Sequence, residues 1–161
     1  MAEKNLENII SLAKRRGFIY PGSEIYGGLS GTWDYGPLGT EVLYNIKEAW
    51  WKKFVSSRDD MYGIASSIMM PETVWAASGH LEHFTDPLEN KKFNTMFKTK
   101  AGALEVETTD VYLRPELAQG MFVNFTNIID SFHPKLPFGL AQIGKAFRNE
   151  ISPRDFLFRV R

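Results

Sequence analysis

The stretch FRNEISPRDFLFRVR, from Phe147 to Arg161, is the most informative part of this sequence. It places four arginines and one glutamate among three phenylalanines. The planar fork of an arginine pairs at two points with a phosphate or a carboxylate, and a phenylalanine ring offers a face on which a base can stack. These three residue types together can therefore hold a nucleotide without a glycine-rich loop.

The local pattern predicts a β-hairpin, with strands at residues 140–150 and 156–161 joined by ISPRD. Side chains alternate between the two faces of a strand. The first strand then divides into two sets of four residues: Gly144, Ala146, Arg148 and Glu150 on one face, and Ile143, Lys145, Phe147 and Asn149 on the other. On pattern alone, an ordinary Arg–Glu ion pair on a solvated sheet face explains the arrangement better than a ligand site does, because such pairs are common and contribute little.

Composition describes a globular chain of 161 residues, with 43% hydrophobic and 24% charged residues. This length suits one domain with a sizeable core. The 19 basic and 19 acidic side chains cancel, whereas a free-standing nucleic-acid binder usually carries a basic excess. Any nucleic-acid site must therefore be local, and residues 141–161, with five basic and two acidic side chains, are the basic part of the chain.

The sequence has no cysteine, which excludes disulfides and thiolate metal sites. The N-terminus lacks the apolar core of a signal peptide, and no apolar run approaches the length of a membrane span. We therefore expect a cytoplasmic protein with no membrane contact.

Hydrophobic spacing gives a coarse order of elements. We expect four helices and several strands: helices at residues 6–17, 38–54, 72–78 and 115–128, strands at 61–71, 93–100 and 103–114, and turns or loops at 21–39, 86–92 and 133–139. Pro71 should end the first of these strands, and Gly79 the third helix. Pro115 suits the first turn of the fourth helix. Helices mixed with hairpins predict an α+β domain with a largely antiparallel sheet.

Four segments together resemble one family. FRNEISPRDFLFRVR resembles motif 2 of the class II aminoacyl-tRNA synthetases, and YLRPELAQGMFVNF (112–125) resembles the segment that precedes it in glycyl-tRNA synthetases. WDYGPLGTEVLYNIKEAWWKKFV (33–55) followed by IMMPETVWAASGH (68–80) is similar to the motif 1 helix and strand, with Pro71 at the proline of the motif. The chain is thus identified as a member of the glycyl-tRNA synthetase family, of the dimeric type.

The resemblance implies a fold and a domain plan. Residues 1–161 would form part of a class II synthetase catalytic domain, an antiparallel β-sheet flanked by helices that is incomplete at the C-terminus. Motif 1 spans about 36–71, the RPE segment 112–125 and motif 2 141–161, and we expect motif 3 and the anticodon-binding domain to be absent. The insertion that many relatives carry between SGH and RPE, often with cysteines, is also missing.

The implied reaction joins glycine and ATP into glycyl-adenylate and then transfers glycine to tRNA(Gly). Arg148 matches the motif 2 arginine that grips the ATP α-phosphate and the amino-acid carboxylate, and Glu150 is the second implied catalytic residue, near the adenine amino group. A fixed guanidinium stabilises charge that shifts to pyrophosphate without reorganising. The remaining implied ATP contacts share the same motif: Asn149, Phe158 as the adenine-stacking ring, Arg159, Val160 and Arg161.

Three further implications concern glycine, tRNA and metal. Glu116 matches the carboxylate that receives the glycine ammonium, although a glutamate in a first helical turn is otherwise explained by the helix dipole. Arg114 should brace the site, and Arg154 lies in the motif 2 loop that approaches tRNA or pyrophosphate. ATP chemistry implies Mg²⁺, whose ligands the sequence does not assign.

The other patterns in the sequence are weaker indications of function. His80 and His83 have helical spacing but no neighbouring ligand, which argues against a metal site. YGGLSG (26–31) lacks the ending of a P-loop. The pair Trp50–Trp51 suits the core and the two-fold interface of a homodimer built on motif 1.

Two alternatives stay open at the sequence level. The chain could be a non-catalytic, synthetase-like module that binds a partner or nucleic acid, since the expected lack of motif 3 argues against full catalysis. It could also be another class II synthetase, of the seryl, threonyl or prolyl type.

Overall fold

The computed structural model describes residues 5–88, 91–103, 108–151, 153, 156–158 and 160–161. The chain has a mixed α and β architecture and divides into two compact units, residues 1–53 with 152–161, and residues 54–151. The described α-helices are α1 (Leu6–Arg15), α2 (Pro37–Trp51), α3 (Glu72–Ala77), α4 (His80–His83), α5 (Ala118–Val123) and α6 (Phe125–Phe132). The described strands are β1 (Ile19–Pro21), β2 (Trp33–Tyr35), β3 (Met61–Gly63), β4 (Met69–Pro71), β5 (Thr85–Leu88), β6 (Lys91–Asn94), β7 (Lys98–Ala101), β8 (Thr109–Leu113) and β9 (Gly139–Ala141).

The first unit contains α1, α2 and an antiparallel pair of strands, β1 and β2. Helix α1 begins where the Asn5 side chain accepts a hydrogen bond from the Glu7 amide, at 3.0 Å, and basic residues fill its last turn. Such a cap and such charges favour the two ends of a helix. Helix α2 continues at residues 52–56 as one π-helical turn. The sequence prediction of both helices is confirmed.

The second unit contains three small sheets. Strand β8 lies at the centre of one, between β4 and β7, with both pairs antiparallel. Strands β5 and β6 form an antiparallel hairpin, and β3 pairs with β9 in parallel. The core packs under the central sheet and consists of Met70, Trp75, Met96 and Tyr112, with Val74, Leu81 and Phe84 against it.

Several predicted boundaries were wrong. The strand expected at 61–71 is two short strands, β3 and β4, which pair with different partners. Residues 86–88 and 91–92, expected in a turn, belong to strands β5 and β6. The helix expected from Pro115 begins at Ala118 and is interrupted at Asn124.

The predicted closing hairpin was also wrong. Only Gly139–Ala141 forms a strand in its first half, and Phe156–Phe158 is a 3₁₀ helix in which Phe156 has φ of +61°. Residues 142–150 have no strand ladder; instead the Phe147 amide donates to Arg114 O and the Asn149 amide to Thr95 O. A strand forms only where one neighbour runs alongside it, whereas here successive donors meet different segments.

The helices of the described residues are all too short for a membrane span of 18 apolar residues.

Candidate active site

Arg114 ties together three segments of the second unit. It follows β8 and is only 4% exposed. Its Nε donates to Lys145 O at 2.8 Å, and its Nη1 donates to Ser66 O at 2.9 Å and lies 3.1 Å from Ser66 Oγ. A buried charge needs hydrogen-bond partners to be tolerated, and here backbone carbonyls supply them. Arg114 therefore braces the segment that leads to Arg148, as expected of it.

Two glycines allow the side chains of Arg114 and Ser66 to pack against neighbouring backbone. A Cβ at Gly144 would overlap Arg114 Nη2, and a Cβ at Gly120 would overlap Ser66 Oγ. Gln142, only 8% exposed, adds a second link, since its Nε2 donates to Leu117 O at 2.5 Å and its Oε1 accepts from Ser66 Oγ at 2.9 Å. We call Ser66, Arg114, Gly120, Gln142 and Gly144 the buried layer after its buried members, Arg114, Gly120 and Gln142; Ser66 is half-buried and Gly144 is exposed.

Glu116 has a local structural role. Its carboxylate accepts hydrogen bonds from the Ala118 amide at 2.5 Å and the Gln119 amide at 3.1 Å, which are the first donors of α5. A side-chain acceptor at this position satisfies amides that have no partner within the helix. The side chain remains 23% exposed, and its Oε1 lies 3.9 Å from His80 Nε2. Glu116 thus caps a helix while its side chain stays partly exposed.

Arg148 is exposed, in contrast to Arg114. Its Nε donates to Pro115 O at 3.2 Å, and its Cζ lies 5.0 Å above the centre of the Phe84 ring. A guanidinium within about 6 Å of a ring face is attracted by the ring quadrupole. Within the described residues its two Nη atoms form no hydrogen bond. They are therefore available to a ligand. The hydrogen bond from Nε places Arg148 against Pro115, the residue that precedes Glu116 in the sequence.

Asn149 and Glu150 follow Arg148 in the sequence, but the three residues differ in exposure. The Asn149 amide donates to Thr95 O at 2.7 Å, and the Glu150 amide donates back to Arg148 O at 2.8 Å, which forms a tight turn. Glu150 is buried at 9% exposure whereas Arg148 is exposed. The prediction that these two side chains share one face was therefore wrong, since the turn separates them.

The rest of motif 2 lies in the first unit. Phe158 is 84% exposed and Val160 38%. The Arg161 amide donates to Gly31 O and its Nε to Ser30 O, both at 2.9 Å. Phe156 rests edge-to-face on Trp33, with ring centroids 4.9 Å apart.

Two residues expected in the site, Arg154 and Arg159, lie outside the described residues.

The structure adds contacts that sequence reasoning did not give: it named neither Phe84 nor Gln142, and it took SGH (78–80) to be structural or near the pocket. Phe84 lies under Arg148, Gln142 belongs to the buried layer, and His80 lies between Phe84 and Trp75. The helical spacing of His80 and Phe84 was the one available signal. Among the described residues, no three metal-ligating side chains cluster, and the ligands of Mg²⁺ stay unassigned.

Comparison with known proteins gives the family. No protein-family model matches the chain. Glycine–tRNA ligase of Macrococcus caseolyticus is 42% identical over 219 aligned positions, which include 100% of this chain and 47% of the relative. Glycine–tRNA ligase of Borrelia hermsii is 47% identical over 185 positions, with 96% of this chain and 42% of the relative. The chain thus spans just under half the length of the curated relatives it matches.

Solved structures give the fold. The crystal structure described as the RNA binding domain of threonyl-tRNA synthetase from Cryptosporidium parvum has a TM-score of 0.64 at 21% identity, covering 94% of this chain and 33% of that one. Prolyl-tRNA synthetase of the same organism has a TM-score of 0.66 at 14% identity, covering 94% and 27%. The predicted α+β, class II synthetase-like fold is therefore confirmed, with its strands in small sheets.

The alignment lengths also show gaps. The 219 positions shared with the Macrococcus enzyme exceed the 161 residues of the chain by 58, so at least that many positions have no counterpart here. Over its whole length, the chain belongs to the glycine–tRNA ligase family.

Proposed function

We propose that this chain contributes the ATP- and glycine-binding half of a glycine–tRNA ligase active site, within a class II catalytic domain. The carboxylate of glycine attacks the α-phosphorus of ATP, the bond to the bridging oxygen of pyrophosphate breaks, and glycyl-adenylate forms. Transfer of the glycyl group to tRNA(Gly) completes the reaction in the full enzyme. The cytoplasm is the proposed compartment.

The observation that carries this proposal is the state of Arg148. It is exposed, it is fixed through Nε and a ring contact, and its Nη atoms have no hydrogen bond to the described residues. A guanidinium fixed in this way meets negative charge without having to reorganise. We assign it to the α-phosphate and the glycine carboxylate, with Glu150 as the second catalytic residue.

The remaining site assignments belong to the same proposal. Asn149, Phe158, Arg159, Val160 and Arg161 would contact ATP, and Arg154 would contact tRNA or pyrophosphate. The high exposure of Phe158, 84%, leaves its ring accessible to a base. The prolyl-tRNA synthetase of the same fold was solved with AMPPNP, an ATP analogue. Mg²⁺ would arrive bound to ATP.

Glu116 is proposed as the receptor of the glycine ammonium. Its side chain is partly exposed, at 23%, while the amides of α5 hold the carboxylate in place. A fixed carboxylate binds an ammonium group through a charge-assisted hydrogen bond.

A homodimer through motif 1 is part of the proposal. Helix α2 exposes large apolar side chains, among them Tyr44 at 62% and Ile46 at 63%, and such surfaces favour association. A monomer at every concentration in sedimentation equilibrium would contradict it.

The test is ATP–pyrophosphate exchange by the 161-residue chain with glycine, alanine or serine. We expect exchange with glycine, and a loss on the order of 10²-fold or more in Arg148→Ala, by analogy with removal of one preorganised donor. The matched control is Arg58→Ala, which removes an exposed arginine paired with Asp60 in the same unit.

Each other outcome has a meaning. Exchange that is equal in Arg148→Ala and the wild type would remove Arg148 from the mechanism. A folded chain that binds ATP but shows no exchange would favour the alternative, a non-catalytic binding module. Exchange with serine in place of glycine would contradict the assigned amino acid.

A further inference from the structure

Three aromatic side chains form a continuous stack that reaches from the core to Arg148. Trp75 is fully buried and meets the ring of His80 edge-to-face, with centroids 5.3 Å apart. His80 stacks on Phe84 with centroids 5.4 Å apart and planes 30° from parallel. Phe84 in turn carries the guanidinium of Arg148, at 5.0 Å. The exposed arginine is thus linked to the most buried residue of the unit.

The backbone fixes the outer end of this stack. The Thr95 amide donates to Phe84 O at 3.1 Å, and Thr95 O accepts from the Asn149 amide at 2.7 Å. Thr95 is itself buried at 5% exposure. Thr95 therefore links the backbone of Asn149, the residue after Arg148, to the backbone of Phe84. These two hydrogen bonds hold the segments that carry the ring and the guanidinium next to each other.

The middle of the stack lies beside the other proposed substrate contact. His80 Nδ1 lies 2.8 Å from Ser78 Oγ, which holds the ring in place, and its Nε2 lies 3.9 Å from Glu116 Oε1. That distance is van der Waals contact rather than a hydrogen bond. His80 and Phe84, one helical turn apart, therefore contact the two residues assigned to glycine and phosphate.

We propose that His80 and Phe84 are positioning residues that set the orientation of Arg148 relative to Glu116. This inference rests on the proposed function. The contact with the Phe84 ring limits the conformations open to the guanidinium, so less side-chain entropy is lost when a ligand binds.

The decisive experiment is a double-mutant cycle between Phe84→Leu and Arg148→Ala, read out as equilibrium binding of ATP. We expect Phe84→Leu to weaken binding about two- to fivefold, the effect of an exposed cation–π contact. Phe84→Tyr, which keeps a ring, should restore wild-type binding. In the Arg148→Ala background, Phe84→Leu should have no further effect. Phe132→Leu, which removes an exposed ring that packs on Tyr62, is the matched control.

A structural role alone gives a different result. If Phe84→Leu weakens ATP binding by the same factor in both backgrounds, the ring acts on the fold and the inference is wrong. If Arg148→Ala weakens binding but Phe84→Leu equals the wild type, only this inference fails. If the wild-type chain does not bind ATP, the proposed function fails together with it.

A second measurement does not need ATP. The side-chain Hε resonance of Arg148 should be displaced upfield by the ring current of Phe84, remain so in Phe84→Tyr and return to its ordinary position in Phe84→Leu. An Arg148 resonance that is the same in all three proteins would overturn the inference.

Discussion

The buried layer around Arg114 and the exposed surface around Arg148 use the same side chain in opposite ways. Arg114 is 4% exposed and donates to carbonyls of two other segments. Arg148 is exposed and has one hydrogen bond and one ring contact within the described residues. A guanidinium whose donors hold the backbone contributes to folding, whereas one whose donors are left open can contribute to binding. The proposed division into scaffold and site follows from this difference.

The largest expected effect is on the buried layer. Arg114→Met should lower the free energy of unfolding by about 2 to 4 kcal/mol, because the carbonyls of Ser66 and Lys145 lose their donor. The same change at the surface, Arg148→Met, should stay within about 0.5 kcal/mol. Urea unfolding of both variants measures the contrast. Equal midpoints for the two would mean that burial does not separate the two arginines.

The next effect concerns Glu116, which borders both regions. Glu116→Ala removes the cap of α5 and should cost about 1 kcal/mol of unfolding free energy. Glu116→Gln keeps an acceptor but removes the charge, so stability should change by less than the alanine variant does. Both variants should raise the KM for glycine on the order of tenfold, if the carboxylate receives the ammonium group.

Kinetics and stability together separate the two roles of Glu116. A KM for glycine that is unchanged in Glu116→Gln would leave the residue as a helix cap alone. The affinity for ATP is the internal control, since neither variant removes a group assigned to ATP.

The sequence predicted the elements whose signals are local. Helices α1 and α2 both have apolar residues at helical spacing, so both were recognised from residues a few positions apart. The strands at 140–150 and 156–161 were wrong because strand formation depends on a partner that local spacing does not reveal. Here the amides of Phe147 and Asn149 find two different partners.

The site was predicted in the same uneven way. Arg148 and Glu116 were proposed from their motifs; in the structure Arg148 contacts Pro115, which precedes Glu116, and Glu116 lies beside His80. Phe84 was missed, because its contact with Arg148 joins residues distant in sequence and has no periodic signature. The separation of Arg148 from Glu150 was also missed, since a tight turn between them replaces the alternation of a strand.

The smallest expected effect tests whether the exposure of a charged side chain, and not its charge, determines how much it contributes to stability. Lys98 Nζ lies 2.7 Å from Asp110 Oδ2 on strands β7 and β8, with side chains 47% and 37% exposed. The hydrogen bond from Lys98 lowers the pKa of Asp110 below 3.8, against the opposing effect of desolvation. A lowered pKa stabilises the fold above the unfolded value, and that contribution is lost as the pH falls through the folded pKa. The pH dependence of stability that arises from Asp110 should therefore be confined to pH values below about 4.

Lys98→Met removes the partner of Asp110 and so measures this contribution. Asp110 lies on β8, the strand that leads to Arg114. The titration midpoint of the Asp110 carboxyl, followed by NMR, should rise toward its ordinary value, while unfolding in urea at pH 7 should hardly change, because solvent and salt screen an exposed pair. Glycine-dependent exchange should equal that of the wild type. A loss of stability as large as that of Arg114→Met would show that charge on these strands matters irrespective of burial, and the distinction between the two regions would then have to rest on Arg148 alone.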